Sequence, residues 1–226
     1  MALARVMHPA AVFWDMDGTL IDTEPLWGQA TYELSELVGK RLTPEERLKT
    51  MGGSFDSTLS IVAAWAGVEL QPGDYERYYE WMVGRMSELL SAGIELNPGV
   101  KGVLDSLAGR GTPMLVTTNT VRELADPCID AIGRHYFTGT ICGDEVARPK
   151  PEADMYLEAA RRVGAQPEDC LVFEDSWAGM SAAAASGCRV RGLVPPGGAV
   201  PEKVVPLDPG EFVGAGAADV DRWFAI

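Results

Sequence analysis

The sequence of 226 residues predicts an α/β fold, a parallel sheet with helices on both faces, carrying an inserted bundle of helices. Three observations predict it. Short runs rich in β-branched and other apolar residues alternate with segments of helical period along most of the chain. The strand-like runs are continuously apolar, the pattern of strands covered on both faces and therefore of a parallel sheet. Between residues 22 and 93 the alternation stops and only helical patterns occur. The 46% of hydrophobic residues is enough to fill the core of one large domain with an insertion.

The first strand is "AVFW" at 11–14. The helical patterns of the insertion follow: Leu26, Trp27, Ala30, Leu34, Leu37 and Val38, then Leu59, Ile61, Val62 and Trp65, then Tyr75, Tyr78, Tyr79, Met82, Met86 and Leu89. Aromatic and methionine side chains at this spacing read first as core. Alternation resumes with a helix over 99–111, strand "MLVTT" at 114–118, a helix over 122–133 and strand "GTICG" at 139–143. It continues with a helix over 152–165, strand "CLVFED" at 170–175, a helix over 177–187 and strand "CRVRGLV" at 188–194. Gly111 and Gly187 stand where helices stop. Residues 195–218, rich in Pro, Gly and Ala, read as irregular surface chain. The expected division is a Rossmann-like core of residues 1–21 and 94–226, with residues 22–93 as the helical insertion.

Charge and cysteine usage narrow the function. The net charge of −14, from 33 acids against 19 Lys and Arg, argues against a nucleic-acid or anionic-membrane partner, both polyanions. Cys128, Cys142, Cys170 and Cys188 are scattered on apolar stretches without a C-x-x-C pair, and only His8 and His135 could join them, which suits buried reduced thiols better than zinc. The N-terminal apolar run is too short for a secretory leader or a membrane span, so the expectation is a cytoplasmic protein.

The chemistry begins at "DMDGT", residues 15–19. In an extended chain residues i and i+2 point the same way, so Asp15 and Asp17 leave the first strand into one small space and need a cation or a shared proton. A calcium loop starting at Asp15 would need Gly and Glu where Leu20 and Leu26 stand. Glu174 and Asp175 end another strand, which brings four carboxylates to one edge of the sheet. Magnesium suits such a site, because it is held by few carboxylates and completes its octahedron with water and phosphate oxygens. "MLVTTNT" adds hydroxyls and an amide at a third strand end, and Lys150 adds a cation.

Taken in order, these stretches resemble the haloacid dehalogenase-like superfamily, in its phosphatase and phosphosugar-mutase branch. The matching residues are "DMDGT" at 15–19, Thr117 after "MLV", Lys150 in "KPEAD", and "EDS" at 174–176 followed by "AGMSAA"; "NPGV" at 97–100 also fits. Ala153 stands where the branch often has proline. The resemblance implies a magnesium-dependent phosphatase for a small phosphorylated metabolite, a sugar or polyol phosphate, with residues 22–93 as a small helical cap. Asp15 would be the nucleophile that carries the phosphoryl group and Asp17 the general acid and base. Asp15, the Asp17 carbonyl and Asp175 would hold the metal. Lys150 and a threonine, Thr117 in preference to Thr118, would bind phosphate, and Glu174 would act around the magnesium or orient Lys150. Thr50, Met51, Gly52, Gly53 and Phe55 of the cap would select the substrate.

Two other readings stand beside this one. β-Phosphoglucomutase-like isomerases carry a histidine and a basic cap residue where this chain has Trp27 and Phe55, which favours hydrolysis. A non-catalytic phosphometabolite- or partner-binding protein would have lost a motif residue, yet all are present.

Overall fold

The computed structural model describes residues 8–226, so residues 1–7 of the expected first core segment lie outside the described residues. Its strands are β1 (Ala11–Trp14), β2 (Met114–Thr117), β3 (Gly139–Ile141), β4 (Cys170–Glu174), β5 (Arg189–Leu193) and β6 (Val204–Leu207). They form one sheet in the order β3-β2-β1-β4-β5-β6, every neighbouring pair parallel. This is the Rossmann-like α/β fold that the continuous apolar runs predict.

The period of two along a strand divides the core into two layers. Val12 and Trp14 of β1, with Met114, Val116, Leu171 and Phe173, face one layer. Ala11 and Phe13, with Leu115, Cys170 and Val172, face the other. Trp14 stacks on Phe173 with ring centroids 4.5 Å apart, and such aromatic pairs contribute about 0.5–1.5 kcal/mol beyond the burial itself.

The helices are α1 (Glu24–Val38), α2 (Pro44–Leu48), α3 (Phe55–Ala66), α4 (Asp74–Leu90), α5 (Val100–Arg110), α6 (Arg122–Ile132), α7 (Asp154–Val163), α8 (Trp177–Ser186) and α9 (Ala217–Ala225). The first four lie between β1 and α5 in the chain with no strand among them; α1 packs on α2, α3 and α4, and α4 also touches α6. Two chain segments connect this bundle to the sheet side by side. Ile21 bridges Leu96, and the Asn97 N–H donates to the Leu20 carbonyl at 2.9 Å. The Asn97 side chain clamps the loop after β1 by donating to the carbonyls of Gly18 (2.9 Å) and Thr19 (3.0 Å).

The C-terminal region differs from its expected irregular form. Residues 195–218 contain β6, followed by a turn of 3₁₀ helix whose Phe212 is fully buried against Trp14 and Phe173. Proline 206 hides the strand in the sequence, since proline is excluded from central strands; β6 is an edge strand, where one side needs no ladder donor. Among the described residues, no helix is long and apolar enough to cross a membrane. All four cysteines are free and buried, and burial pushes the Cys128, Cys142 and Cys170 thiols up to about 12 and Cys188 to about 11.

Candidate active site

The sheet register brings the site together. Trp14 pairs with Val116 of β2 and Phe173 of β4, so the next residues along, Asp15, Thr117 and Glu174, come level at the carboxyl edge. The Asp15 N–H donates to the Phe173 carbonyl at 3.1 Å, which extends the ladder one residue past β1. Lys150 arrives from the segment before α7 and is buried. Its ammonium donates to Asp15 Oδ1 at 2.6 Å, to the Thr117 carbonyl at 2.9 Å and to Glu174 Oε1. Tyr156 on α7 donates to the same Glu174 oxygen at 2.8 Å, while Ser176 donates to Oε2 through both its N–H and its hydroxyl.

Asp15, Glu174 and Asp175 each offer a carboxylate oxygen, and the three lie within 4.8 Å of one another. Burial and then Glu174 push the Asp15 carboxyl well above its ordinary value, against the pull of Lys150. The same causes raise Asp175 to about 7. Burial disfavours the Lys150 charge, but Asp15 and Glu174 more than offset it, so Lys150 stays protonated. Three carboxyls against one ammonium leave two negative charges unmatched when all are ionised, a deficit that one divalent cation fills. The donor set, all oxygen and partly open to the cavity, fits a hard divalent ion. Glu174 already has donors on both oxygens, which leaves Asp15 and Asp175 as its freer carboxylates. Gly18 is required beside them, because a Cβ there would overlap the Asp175 carboxylate.

Asp17 turns away from this cluster. Its Oδ1 accepts from Thr23 Oγ1 at 2.6 Å and Trp27 Nε1 at 2.9 Å, and its Oδ2 from Thr120 Oγ1 at 2.7 Å and Thr118 Oγ1 at 3.3 Å. Thr23 is the N-cap residue of α1, yet its hydroxyl serves Asp17 and makes no capping bond. With both carboxylate oxygens occupied, the main-chain carbonyl is what Asp17 has to offer a metal, as the resemblance implies.

Above these acids lies a cavity of about 120 Å³. Asp15, Asp17, Thr118, Asn119, Lys150 and Asp175 form its floor, and Glu24, Trp27, Arg47, Thr50, Met51, Gly52, Gly53, Phe55 and Tyr79 its facing wall. All five expected cap residues line it together with Asp15, Asp17, Lys150 and Asp175; Glu174, fully buried behind Lys150, does not. Thr117 is a correction. It is the last residue of β2, fully buried, and its hydroxyl donates to the Trp14 carbonyl at 3.2 Å; Thr118, first past the strand end, reaches the cavity.

Three contributors have no role assigned from the sequence, although the hydroxyls and amide of "MLVTTNT" are expected at this strand end. Asn119 donates to the carbonyls of Gly52 and Lys150, both at 3.0 Å, and accepts from the Lys150 N–H at 2.9 Å, so it ties the helical wall to the floor. Thr120 holds Asp17. Arg47, on α2, is buried in the wall and donates to Glu24 Oε1 at 2.6 Å. The run "TNT" after β2 was a signal for the first two, since three polar residues directly after a buried strand need partners. Arg47 carried none, because an arginine in a short helix normally faces water.

Gly52 sits at the closest approach of wall and floor, with φ +68°, and a Cβ there would overlap the Ser176 side chain. Gly52→Ala should therefore disfavour this closed arrangement, lowering kcat/KM about tenfold or more, since a left-handed non-glycine residue costs about 1–2 kcal/mol before the clash is counted. Steady-state kinetics on an aryl phosphate checks it, and wild-type values would show that the approach is not needed for turnover.

Comparison with known proteins agrees with this geometry. Residues 9–187 match the family described as haloacid dehalogenase-like hydrolase. A phosphorylated carbohydrates phosphatase of Thermotoga maritima is 32% identical over 187 residues, covering 81% of this chain and 85% of that protein. A fructose-1-phosphate phosphatase of Escherichia coli is 32% identical over 179 residues, covering 79% of this chain and 93% of the relative. The crystal structure of CbbY from Rhodobacter sphaeroides in complex with xylulose-(1,5)bisphosphate is 25% identical, with a TM-score of 0.77 over 94% of this chain and 99% of that one. The chain belongs to the haloacid dehalogenase-like hydrolase family, in its phosphatase and β-phosphoglucomutase-like branch.

Proposed function

We propose that this protein is a magnesium-dependent phosphatase that hydrolyses a small phosphorylated metabolite, a sugar or polyol phosphate, through an aspartyl-phosphate on Asp15. The observation that carries the reading is the floor of the cavity, where Asp15 meets Lys150 and the Glu174–Asp175 pair while Asp17 stands beside it on separate donors. The relatives named as phosphatases of phosphorylated carbohydrates and of fructose 1-phosphate support the substrate class.

The Asp15 carboxylate attacks phosphorus and the bond to the leaving oxygen breaks, giving a phosphorylated Asp15. Asp17 protonates the leaving oxygen and then takes a proton from the water that hydrolyses the intermediate. Lys150, held by Glu174, keeps a positive charge on the attacking side and neutralises a phosphate oxygen together with the Thr118 hydroxyl. Asp15, Asp175 and the Asp17 carbonyl would hold the magnesium ion, which when bound would supply charge neutralisation for the phosphoryl group. Residues 22–93 act as a cap that excludes water and reads the rest of the substrate.

Two observations disfavour a mutase. Trp27 and Phe55 occupy positions where the mutases carry histidine and a basic residue, and the one cationic side chain of the wall, Arg47, already faces Glu24. A mutase must grip a second phosphate there.

Phosphate release from a panel of phosphometabolites, with magnesium and with excess chelator, tests the reading. Activity should vanish with chelator; full activity in its presence would overturn the metal-dependent mechanism. Asp175→Ala should weaken magnesium binding by calorimetry on the order of 10–100-fold and lower activity in parallel, because one of the two freer carboxylates is gone.

A further inference from the structure

Charge is unevenly placed around the cavity. Asp15, Asp17, Lys150 and Asp175 belong to its floor, and away from the floor the charged lining residues are Glu24 and Arg47, paired with each other at 2.6 Å. The rest of that lining is neutral. α1 leads into it: Thr23 and Trp27 bond to Asp17, and Thr31 follows Trp27 on the same helix face, one turn and about 6 Å further along. Thr58 enters from α3, while Phe55, Met82, Val83 and Leu124 bring apolar side chains from α3, α4 and α6.

Thr31 is 3% exposed and Thr58 8%, yet both line the cavity. A threonine inside a helix can turn its hydroxyl to a carbonyl three or four residues back. Among the described residues neither hydroxyl makes that bond or any other, and neither is sealed off: the side-chain polar atoms shut from solvent without a partner are Trp14 Nε1 and Arg47 Nε. Both hydroxyls therefore keep accessible surface, and on side chains so deeply buried the cavity supplies it. A hydroxyl among apolar neighbours is costly to leave unpaired, and a ligand oxygen would satisfy it.

The surroundings limit which oxygen fits. A hydroxyl both donates and accepts, so it matches a hydroxyl or a carbonyl oxygen. A carboxylate or a second phosphate would arrive without a free cation, because Arg47 is already taken by Glu24. The apolar side chains suit C–H surface on either side of that oxygen.

We propose that Thr31 and Thr58 are specificity-determining residues of the site: their hydroxyls bind an uncharged oxygen of the leaving alcohol, remote from its phosphate, and this end of the cavity rejects an alcohol whose far end is anionic. The inference rests on the phosphatase reading above and names neutral rather than acidic alcohols as the leaving groups. Neither threonine touches a reacting atom; both select.

The test uses the full chain with magnesium and three series of matched chain length: monophosphates of terminal diols, alkyl phosphates, and phosphate esters of terminal hydroxy acids, with an aryl phosphate as reference. Wild-type enzyme should prefer the best diol ester to both counterparts by at least about tenfold in kcat/KM, because a site that hydrogen-bonds an oxygen strongly rejects the analogue lacking it. Thr31→Val and Thr58→Val keep the branched shape but remove the hydroxyl, and each should cut the diol-to-alkyl preference severalfold, mostly through KM. Thr31→Ser and Thr58→Ser keep the hydroxyl and should keep the preference. Reading the effect as a ratio cancels any general loss of activity. Both valine variants should melt at or above the wild-type temperature, since the hydroxyl they remove has no partner within the protein; a clear fall would reveal a structural bond and count against the proposal. An unchanged diol-to-alkyl ratio in either valine variant, or a hydroxy-acid ester hydrolysed as well as the diol ester by the wild type, overturns the assignment. Absence of aryl phosphate hydrolysis by the wild type would instead sink the phosphatase reading itself.

Discussion

Asp15→Asn should abolish turnover, with kcat falling by at least about 10⁴-fold and no phosphorylated protein forming from any substrate. An amide is a poor nucleophile toward phosphorus, and no other side chain on the cavity floor can replace it. Asp17 is turned toward Thr23, Trp27, Thr118 and Thr120, and Asp175 lies against Gly18. The same substitution should leave the protein folded, with thermal stability equal to or above wild type in the absence of metal. The sign follows from the cluster. The folded state raises the Asp15 pKa, first through burial and then through Glu174, so its ionised form is a cost to folding at neutral pH that a neutral amide removes. An asparagine oxygen can still accept from Lys150, which keeps its bond to Glu174. Loss of activity with a retained melting transition would separate chemistry from structure; measurable steady turnover by Asp15→Asn would reject Asp15 as the nucleophile.

The sequence reveals the strand ends and their acids well, and the pairings that fix the helical wall poorly, for a physical reason. Strands β1, β2 and β4 are buried on both faces, so they appear as unbroken apolar runs whose ends are marked by the first polar residue. Asp15, Glu174 and Asp175 are legible because charged groups directly after such runs have few structural reasons to be there. Thr117 and Thr118 are harder to separate, since a strand end is uncertain by one residue and one residue reverses the side that a side chain faces. β6 escapes notice because its proline and its exposed edge give it the composition of a loop. Arg47 and Asn119 depend on contacts between segments far apart in the chain, Arg47 with Glu24 and Asn119 with Gly52 and Lys150. Local periodicity carries no record of such pairs. The contributors that the sequence hides are therefore those fixed by contacts between distant segments, Arg47 within the helical wall and Asn119 between wall and floor.

Asp17→Asn should fail in a different way, by separating the two halves of the reaction. The fold should survive the change because three of the four groups around Asp17 are hydroxyls, from Thr23, Thr118 and Thr120, and a hydroxyl can accept as readily as it donates. Only Trp27 Nε1 must donate, so the asparagine oxygen turns to it and the amide N–H groups turn to the Thr118 and Thr120 hydroxyls. With an aryl phosphate the leaving group needs little protonation, and Asp15 can still be phosphorylated. Hydrolysis of the phosphorylated Asp15 needs a base for water, and an amide supplies none, so this step becomes limiting and steady turnover falls about 10²–10⁴-fold. Rapid mixing should record a burst of up to about one equivalent of aryl alcohol followed by a stall. An alkyl phosphate, whose leaving oxygen does need the proton, should give no burst at all. Mass spectrometry of the stalled protein should find the phosphoryl group on Asp15. Phosphate on another residue, or a burst of equal size from alkyl and aryl esters, would contradict the assignment of Asp17 as the acid of the first step and the base of the second.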